Sequence, residues 1–343
     1  MSYEGVSRKQ TPRYQKNTEN NIVERVTLKK GNKMATNLNK AKKAKNDEFY
    51  TLYSDVEKEL AHYQQHFKGK IVYCNCDNPE WSAFWRYFHI NFSAMGLKKL
   101  IATYKGEPTY KMEYTGGNDN DITIGLRTSL KGDGDFRSQE CLDILKVADI
   151  VVTNPPFSLF REYVATLMEH KKKFLIIGNM NAVTYKEIFP LIKNNQIWYG
   201  VSLSGSKCSF IVPDSYEGKN VFFEDGVKKA RINNAIWLTN LDHHKRHEKI
   251  VLCKKYTPEE FPKYDNYNAI DCSLVRNIPC DYDGVVGVPI TFLAKYNPNQ
   301  FEIVGWSRHN DLNMDGGYWK KGTCNDALIG GKLVYRRILI RKK

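Results

Sequence analysis

The chain has 343 residues, 41% of them hydrophobic, with 52 Lys and Arg against 38 Asp and Glu and a formal charge of +14. That much apolar material excludes disorder throughout, and no run approaches the roughly 18 consecutive apolar residues that cross a bilayer. We therefore expect a soluble, cytoplasmic protein with no export leader and no membrane contact. The charge sits at the ends: residues 1–46 carry twelve Lys and Arg against three Glu, residues 331–343 carry six and no acid, and the stretch between is near neutral. A cation that neutralises a phosphate releases a counterion, so basic ends on a neutral body point to nucleic acid; the plainer alternative is that they only aid solubility. The eight cysteines include no Cys-x-x-Cys pair, which argues for free thiols rather than disulfides or zinc.

Residues 1–38 are polar and aperiodic and read as a basic, disordered arm. A strand-and-helix rhythm follows from residue 39. The apolar spacing predicts a strand at Lys70–Asn75, a helix at Glu80–Met95, a strand at Lys98–Thr103 and a hairpin insertion around Gly116–Asp121. It then predicts a strand at Asp149–Thr153, a helix at Ser158–His170, a strand at Lys173–Gly178 and a helix at Val183–Lys193. Phe210–Val212 and Ala235–Thr239 read as closing strands of the same sheet. Continuous apolar runs such as Ile150-Val151-Val152 and Phe174-Leu175-Ile176-Ile177 belong to parallel strands buried on both faces. The expected fold is therefore α/β and doubly wound, with a catalytic domain at 39–240 and its ligands at the carboxyl ends of the strands. Residues 241–343 lack the rhythm and read as a smaller, irregular C-terminal domain.

Asn154-Pro155-Pro156-Phe157 directly follows the strand Asp149–Thr153. It suits an amino nitrogen whose lone pair is delocalised into an aromatic ring. The Asn154 side-chain oxygen and the Pro155 carbonyl can each accept one N–H, freeing the lone pair for in-line attack on a methyl sulfonium. Two prolines fix the backbone so that the acceptors converge, and Phe157 would stack on the base. The plain reading of the same tetrapeptide is a rigid turn. Upstream, Asp135 and Phe136 could hold an adenine moiety through a carboxylate and a ring face, or form a hydrated turn before a helix capped by Ser138.

The stretches Asp47–Thr51, Val72–Asp77, Gly132–Ser138, Pro262–Ile270, Gly284–Leu293 and above all Ile150–Tyr163 resemble the EcoRI-type adenine-specific DNA methyltransferases, from about Leu38 almost to the C-terminus. The resemblance implies a Rossmann-like fold that binds S-adenosylmethionine, flips an adenine from double-stranded DNA and methylates N6 without a covalent enzyme intermediate; the sulfonium is already an activated donor, so no metal is expected. It also implies a restriction-modification setting, with a cognate endonuclease acting at the same site, and we expect a monomer. By analogy Phe49, Tyr50 and Thr51 line the methionine end, Asp135 and Phe136 hold the adenine moiety, and Asn154 to Phe157 hold the target base. Phe210 is read either as a second aromatic face for that base or as a core residue. Cys74-Asn75-Cys76-Asp77-Asn78-Pro79 lacks the usual glycines, so Asn75 and Asp77 are the least specified cofactor contacts.

Cys280 after Pro279 would suit a cysteine-addition mechanism, but it does not follow a buried strand. His243, His244 and His247 could suggest a metal, but Lys245, Arg246 and Lys249 crowd them. Tyr264, Tyr267 and Tyr282 read either as DNA contacts or as core. RNA adenine and protein glutamine are chemically close alternative acceptors, and a vestigial enzyme fold that only binds DNA is the non-catalytic alternative.

Overall fold

The computed structural model describes residues 49–204, 208–218, 220–310 and 313–343. The arm expected at 1–38 and the pair Asp47-Glu48 lie outside the described residues. From Phe49 the chain runs through β1 (Tyr50–Thr51), α1 (Tyr53–Leu60), β2 (Ile71–Asn75), α2 (Ala83–Ile90), α3 (Phe92–Met95) and β3 (Lys99–Tyr104). An insertion of β4 (Tyr110–Tyr114) and β5 (Leu126–Ser129) precedes α4 (Gln139–Val147), β6 (Ile150–Thr153), α5 (Phe160–Glu169) and β7 (Lys173–Asn179). Then come α6 (Phe189–Lys193), β8 (Trp198–Ser204), β9 (Cys208–Ile211), β10 (Val221–Glu224), β11 (Val227–Ile232) and β12 (Ala235–Thr239). The rest holds β13 (Ile270–Asp271), β14 (Val286–Val288), β15 (Phe301–Trp306), β16 (Leu328–Ile329), β17 (Lys332–Leu333) and β18 (Ile338–Lys342).

Eight strands form one mixed sheet in the order β5-β4-β3-β2-β6-β7-β12-β8. The inner strands β3, β2, β6 and β7 run parallel. Their apolar runs are buried on both faces: Ile150 and Val152 join a core with α1 and α2, whereas Val151 joins one with α4 and α5. Ser82 and Ser138 cap α2 and α4 by accepting from the Trp85 and Cys141 amides. From β2 the chain steps to β3 on one side, and from β6 it steps to β7 on the other. That reversal opens a crevice at the carboxyl ends of β2 and β6. The fold is thus mixed α/β, built around a large mixed sheet.

Three expectations change. The helix foreseen at Val183–Lys193 shrinks to a 3-10 turn at Met180–Thr184 and the short α6, because Pro190 has no N–H to bond back and so belongs in a first helical turn. Phe210 lies in β9, which pairs with β1 and β11 in a separate four-stranded sheet, so it does not close the main one. β8 and β12 do that. Beyond Leu241 the chain is not irregular throughout. β13, β14, β18 and β15 form a sheet whose Ile270, Val286, Ile303 and Ile338 share the core of α4 and α5; these strands are too short to show a period. Tyr264 and Tyr267 are core residues, at 2% and 1% exposure. No helix among the described residues is long and apolar enough to cross a membrane.

The edge strand β8 is held by a fully buried carboxylate. Glu59 on α1 accepts from the Val201 amide (2.7 Å), the Ser202 amide (2.5 Å) and the Tyr63 hydroxyl (2.9 Å). Gly200 makes room, since a Cβ there would lie 2.3 Å from Glu59 Oε1. Glu59→Ala leaves two enclosed amides unpaired and should cost about 2–4 kcal/mol in denaturant unfolding; an unchanged midpoint would show that the bonds carry no weight.

Candidate active site

The turn after β2 works without glycine. Cys76 sits at φ 72°, in the left-handed region that ordinary side chains avoid. Its neighbours brace it. Tyr163 of α5 donates to Asn75 Oδ1, and the Thr153 hydroxyl at the end of β6 lies against the Asn75 carbonyl. Asn78 Oδ1 accepts from the Tyr110 hydroxyl (2.8 Å) and the Glu80 amide (2.9 Å). Between them Asp77 is enclosed, with the Thr153 hydroxyl 3.1 Å from Oδ2 and the Asn154 amide donating to it. Burial disfavours its charged form and pushes its carboxyl up to about 7, despite both bonds.

Strand β6 delivers Asn154 to the same crevice. The prolines that follow set an extended path into a 3-10 turn at Phe157–Leu159 and then α5. Asn154 Nδ2 donates to the Phe49 carbonyl at 2.6 Å, which fixes the orientation of the amide. Its Oδ1 is buried and has no hydrogen-bond partner among the described residues. A buried acceptor left unmade costs about 1–3 kcal/mol, so this one is poised for a donor that arrives.

Phe49 also anchors an aromatic wall. Its ring lies 5.6 Å from Phe157, 6.0 Å from Phe210 and 5.6 Å from Tyr216. Phe210 is 1% exposed and sits opposite Thr51 in the β1–β9 ladder, so it supports Phe49 from the core side, whereas Phe157 is only partly buried. The Thr51 hydroxyl is buried without a partner among the described residues.

Across the crevice, Asp135 does not wait for a ligand. Oδ1 accepts from Arg137 Nε (2.8 Å) and the Arg137 amide (3.0 Å), while Oδ2 accepts from Arg137 Nη2 (2.9 Å) and Lys105 Nζ (2.5 Å). A carboxylate offers about four lone-pair sites, and all are taken. The Arg137 bonds, with Lys105, hold Asp135 well below the usual carboxylate range against the cost of burial. Arg137 reaches on to Glu162 of α5 at 3.2 Å. Phe136 packs edge-on against Tyr163 at 5.0 Å.

Part of this set lines one open cleft, while the predicted site residues Thr51, Pro155, Phe157 and Phe210 lie outside its lining. Phe49, Tyr50, Asp77, Asp135, Phe136, Asn154 and Pro156 line it, joined by Cys76, Asn78, Tyr104 and Lys105. Asn75 turns away to Tyr163, and Cys280 is exposed and outside the lining. Among the described residues no group of three or more His, Cys, Asp or Glu could hold a metal ion. His243 is buried against the Tyr199 carbonyl (2.8 Å), and His247 pairs with Asp242 (2.8 Å).

Residues 37–343 match the sequence family described as adenine-specific methyltransferase EcoRI. The chain belongs to this family. Its relatives there include the type II methyltransferase M.EcoRI of Escherichia coli, 48% identical over 333 residues that span 90% of this chain and 98% of the relative. The type II methyltransferase M.MpnI of Mycoplasma pneumoniae is 38% identical over 317 residues, and M.MgeORF184P of Mycoplasma genitalium 37% over 316; each match spans 89% of this chain and 98% of the relative. No solved structure matches the chain. For an adenine-specific methyltransferase of the EcoRI family, sequence reasoning overlooked Lys105 and Tyr216. Lys105 had a usable signal, since it directly follows an inner strand beside β2. Tyr216 had none, because only the fold of the β9–β10 loop brings it to Phe49.

Proposed function

We propose that this enzyme transfers a methyl group from S-adenosylmethionine to N6 of an adenine flipped out of double-stranded DNA, on a Rossmann-like fold, as the modification half of a restriction-modification pair. The observation that carries the reading is Asn154 Oδ1, a buried acceptor with no partner among the described residues, beside an aromatic wall at the carboxyl end of β6. The cofactor supplies an activated methyl group on a sulfonium. Asn154 Oδ1 and the Pro155 carbonyl accept the two amino hydrogens of adenine, which restores lone-pair character to its nitrogen. Phe157 offers a ring face to the purine, backed by Phe49, with Phe210 behind. Phe49, Tyr50 and the Thr51 hydroxyl, which has no partner among the described residues, suit the methionine end, and Asp77 and Phe136 suit the nucleoside. The fit is incomplete at Asp135, whose filled lone pairs make it a brace for Lys105 and Arg137 until a ligand displaces one of them.

In this reading residues 241–343 contact the target, the basic ends contact phosphate, and the enzyme acts as a cytoplasmic monomer beside a cognate endonuclease. Duplex DNA incubated with a labelled methyl donor should yield N6-methyladenine; its absence, or a preference for RNA or protein in competition, would overturn the assignment. Asp135→Ala should weaken S-adenosylhomocysteine binding in calorimetry by about tenfold or more, because two cations lose their shared acceptor and the loop loosens. Unaltered affinity would remove Asp135 from the cofactor site.

A further inference from the structure

The C-terminal sheet carries a second constructed site, on the reading that residues 241–343 contact DNA. Asn266, 1% exposed, donates from Nδ2 to the carbonyls of Cys324 (2.6 Å) and Asp326 (2.8 Å) and accepts from the Leu328 amide (2.8 Å). Tyr267 donates to the Asn325 carbonyl at 2.6 Å. These bonds tie 324–328 to the buried Asn266 and Tyr267 and make it a fixed platform. On it Asp326 holds two guanidinium groups: Arg336 Nε donates to Oδ1 at 2.8 Å and Nη2 to Oδ2 at 3.4 Å, while Arg308 Nε lies 3.8 Å from Oδ1. Both arginine side chains are nearly half exposed, at 42% and 48%. Arg337, the next residue, turns inward to Asp271 at 3.0 Å, as alternation along an extended segment requires. Arg308, bridged to Asp326 of the platform, comes just after β15, whose Trp306 packs 6.2 Å from Phe189. Phe189 opens α6, which comes after the carboxyl end of β7, the end of the sheet at which the cleft lies.

We propose that Arg336, oriented by Asp326, reads a guanine in the target duplex, with Arg308 as the supporting cation. Asp326 occupies the Nε side of the Arg336 fork and leaves the Nη1–Nη2 edge for a ligand. That edge matches the N7 and O6 acceptors of guanine in the major groove. A phosphate is the poorer occupant, because Asp326 would repel it, whereas a neutral base edge tolerates the carboxylate that aims the arginine. Holding a long side chain in place before binding also reduces the entropy lost on recognition.

The test begins with sequencing of methylated plasmid DNA to define the site, then measures kcat/KM on duplexes in which each guanine is replaced in turn by 7-deazaguanine, which lacks the N7 acceptor. Wild type should lose roughly 10- to 100-fold at one guanine. Arg336→Ala should be slowed to a similar extent on the unmodified duplex and no further on that analogue, with S-adenosylhomocysteine affinity unchanged. Arg336→Lys should not restore the discrimination, and Asp326→Asn should weaken it. The proposal is overturned if no analogue affects wild type, if Arg336→Ala is without effect, or if it slows every duplex equally and lowers the salt dependence by one phosphate contact. A wild type that methylates no duplex overturns the DNA reading itself, and this proposal with it.

Discussion

Asn154→Ala should slow methyl transfer by about 100-fold or more while leaving cofactor affinity essentially unchanged, the signature of a polar contact that matters in the transition state. The expectation rests on the division of labour within one amide. Nδ2 is committed to the Phe49 carbonyl, and Oδ1 is buried with nothing to accept from among the described residues. Alanine removes the acceptor, and it also frees the Phe49 carbonyl, so Phe49 loses one of the contacts that aim its ring. Single-turnover rates with saturating cofactor and DNA, set beside calorimetry with S-adenosylhomocysteine, separate the two effects. A rate loss matched by an equal loss of cofactor affinity would make Asn154 a binding residue, against the role assigned to it. Asn154→Asp should retain an acceptor but bring a charge into a buried site, and should recover part of the rate only as pH falls and the carboxyl takes a proton.

The second large effect is on stability. In the unfolded chain Asp77 gives up its proton near 3.8; in the fold it does so at about 7. Between those values the native state keeps a proton that the unfolded state has released, so rising pH weakens the fold through this group. Below about 4 both states are protonated and above about 7 both are ionised, and the contribution is flat. A shift of this size corresponds to about 4 kcal/mol at 1.36 kcal/mol per pH unit. Asp77→Asn cannot titrate, so its unfolding free energy should gain on wild type by several kcal/mol between pH 4 and pH 7. Denaturant melts of both proteins across that range test this. Parallel curves would mean that Asp77 stays ionised throughout.

Much of the central fold was legible because its strands are continuous apolar runs, the pattern of strands covered on both faces. Ile150-Val151-Val152 and Phe174–Ile177 located two inner strands, and Asn154 to Phe157 followed directly from the first. The strands of residues 270–342 were not legible. Two to six residues leave little room for a period, and their burial comes from packing onto the helices of the main sheet. Phe210 was assigned to the wrong sheet because an isolated Phe-Ile-Val run carries no information about its partner; pairing with β1 required Tyr50 and Thr51 to be extended. Asp135 was read as an open carboxylate because Lys105, 30 residues away, gives no local sign of reaching it. Arg137 was visible two positions on, but a neighbouring cation is as often solvated as paired.

The left-handed Cys76 has a consequence for how the site forms. A glycine turn adopts its shape alone, but a cysteine at φ 72° holds that shape only while Tyr163 and Thr153 grip Asn75 on either side of the crevice. Those partners arrive from β6 and α5, 78 and 88 residues downstream, as far along the chain as the β2–β6 pairing itself. The turn therefore depends on α5 as well as on the sheet, and an event that loosens α5 removes one of the two contacts that brace it. The shape of the crevice beside β2 is in this way tied to the packing of a helix that contributes no residue to the turn itself.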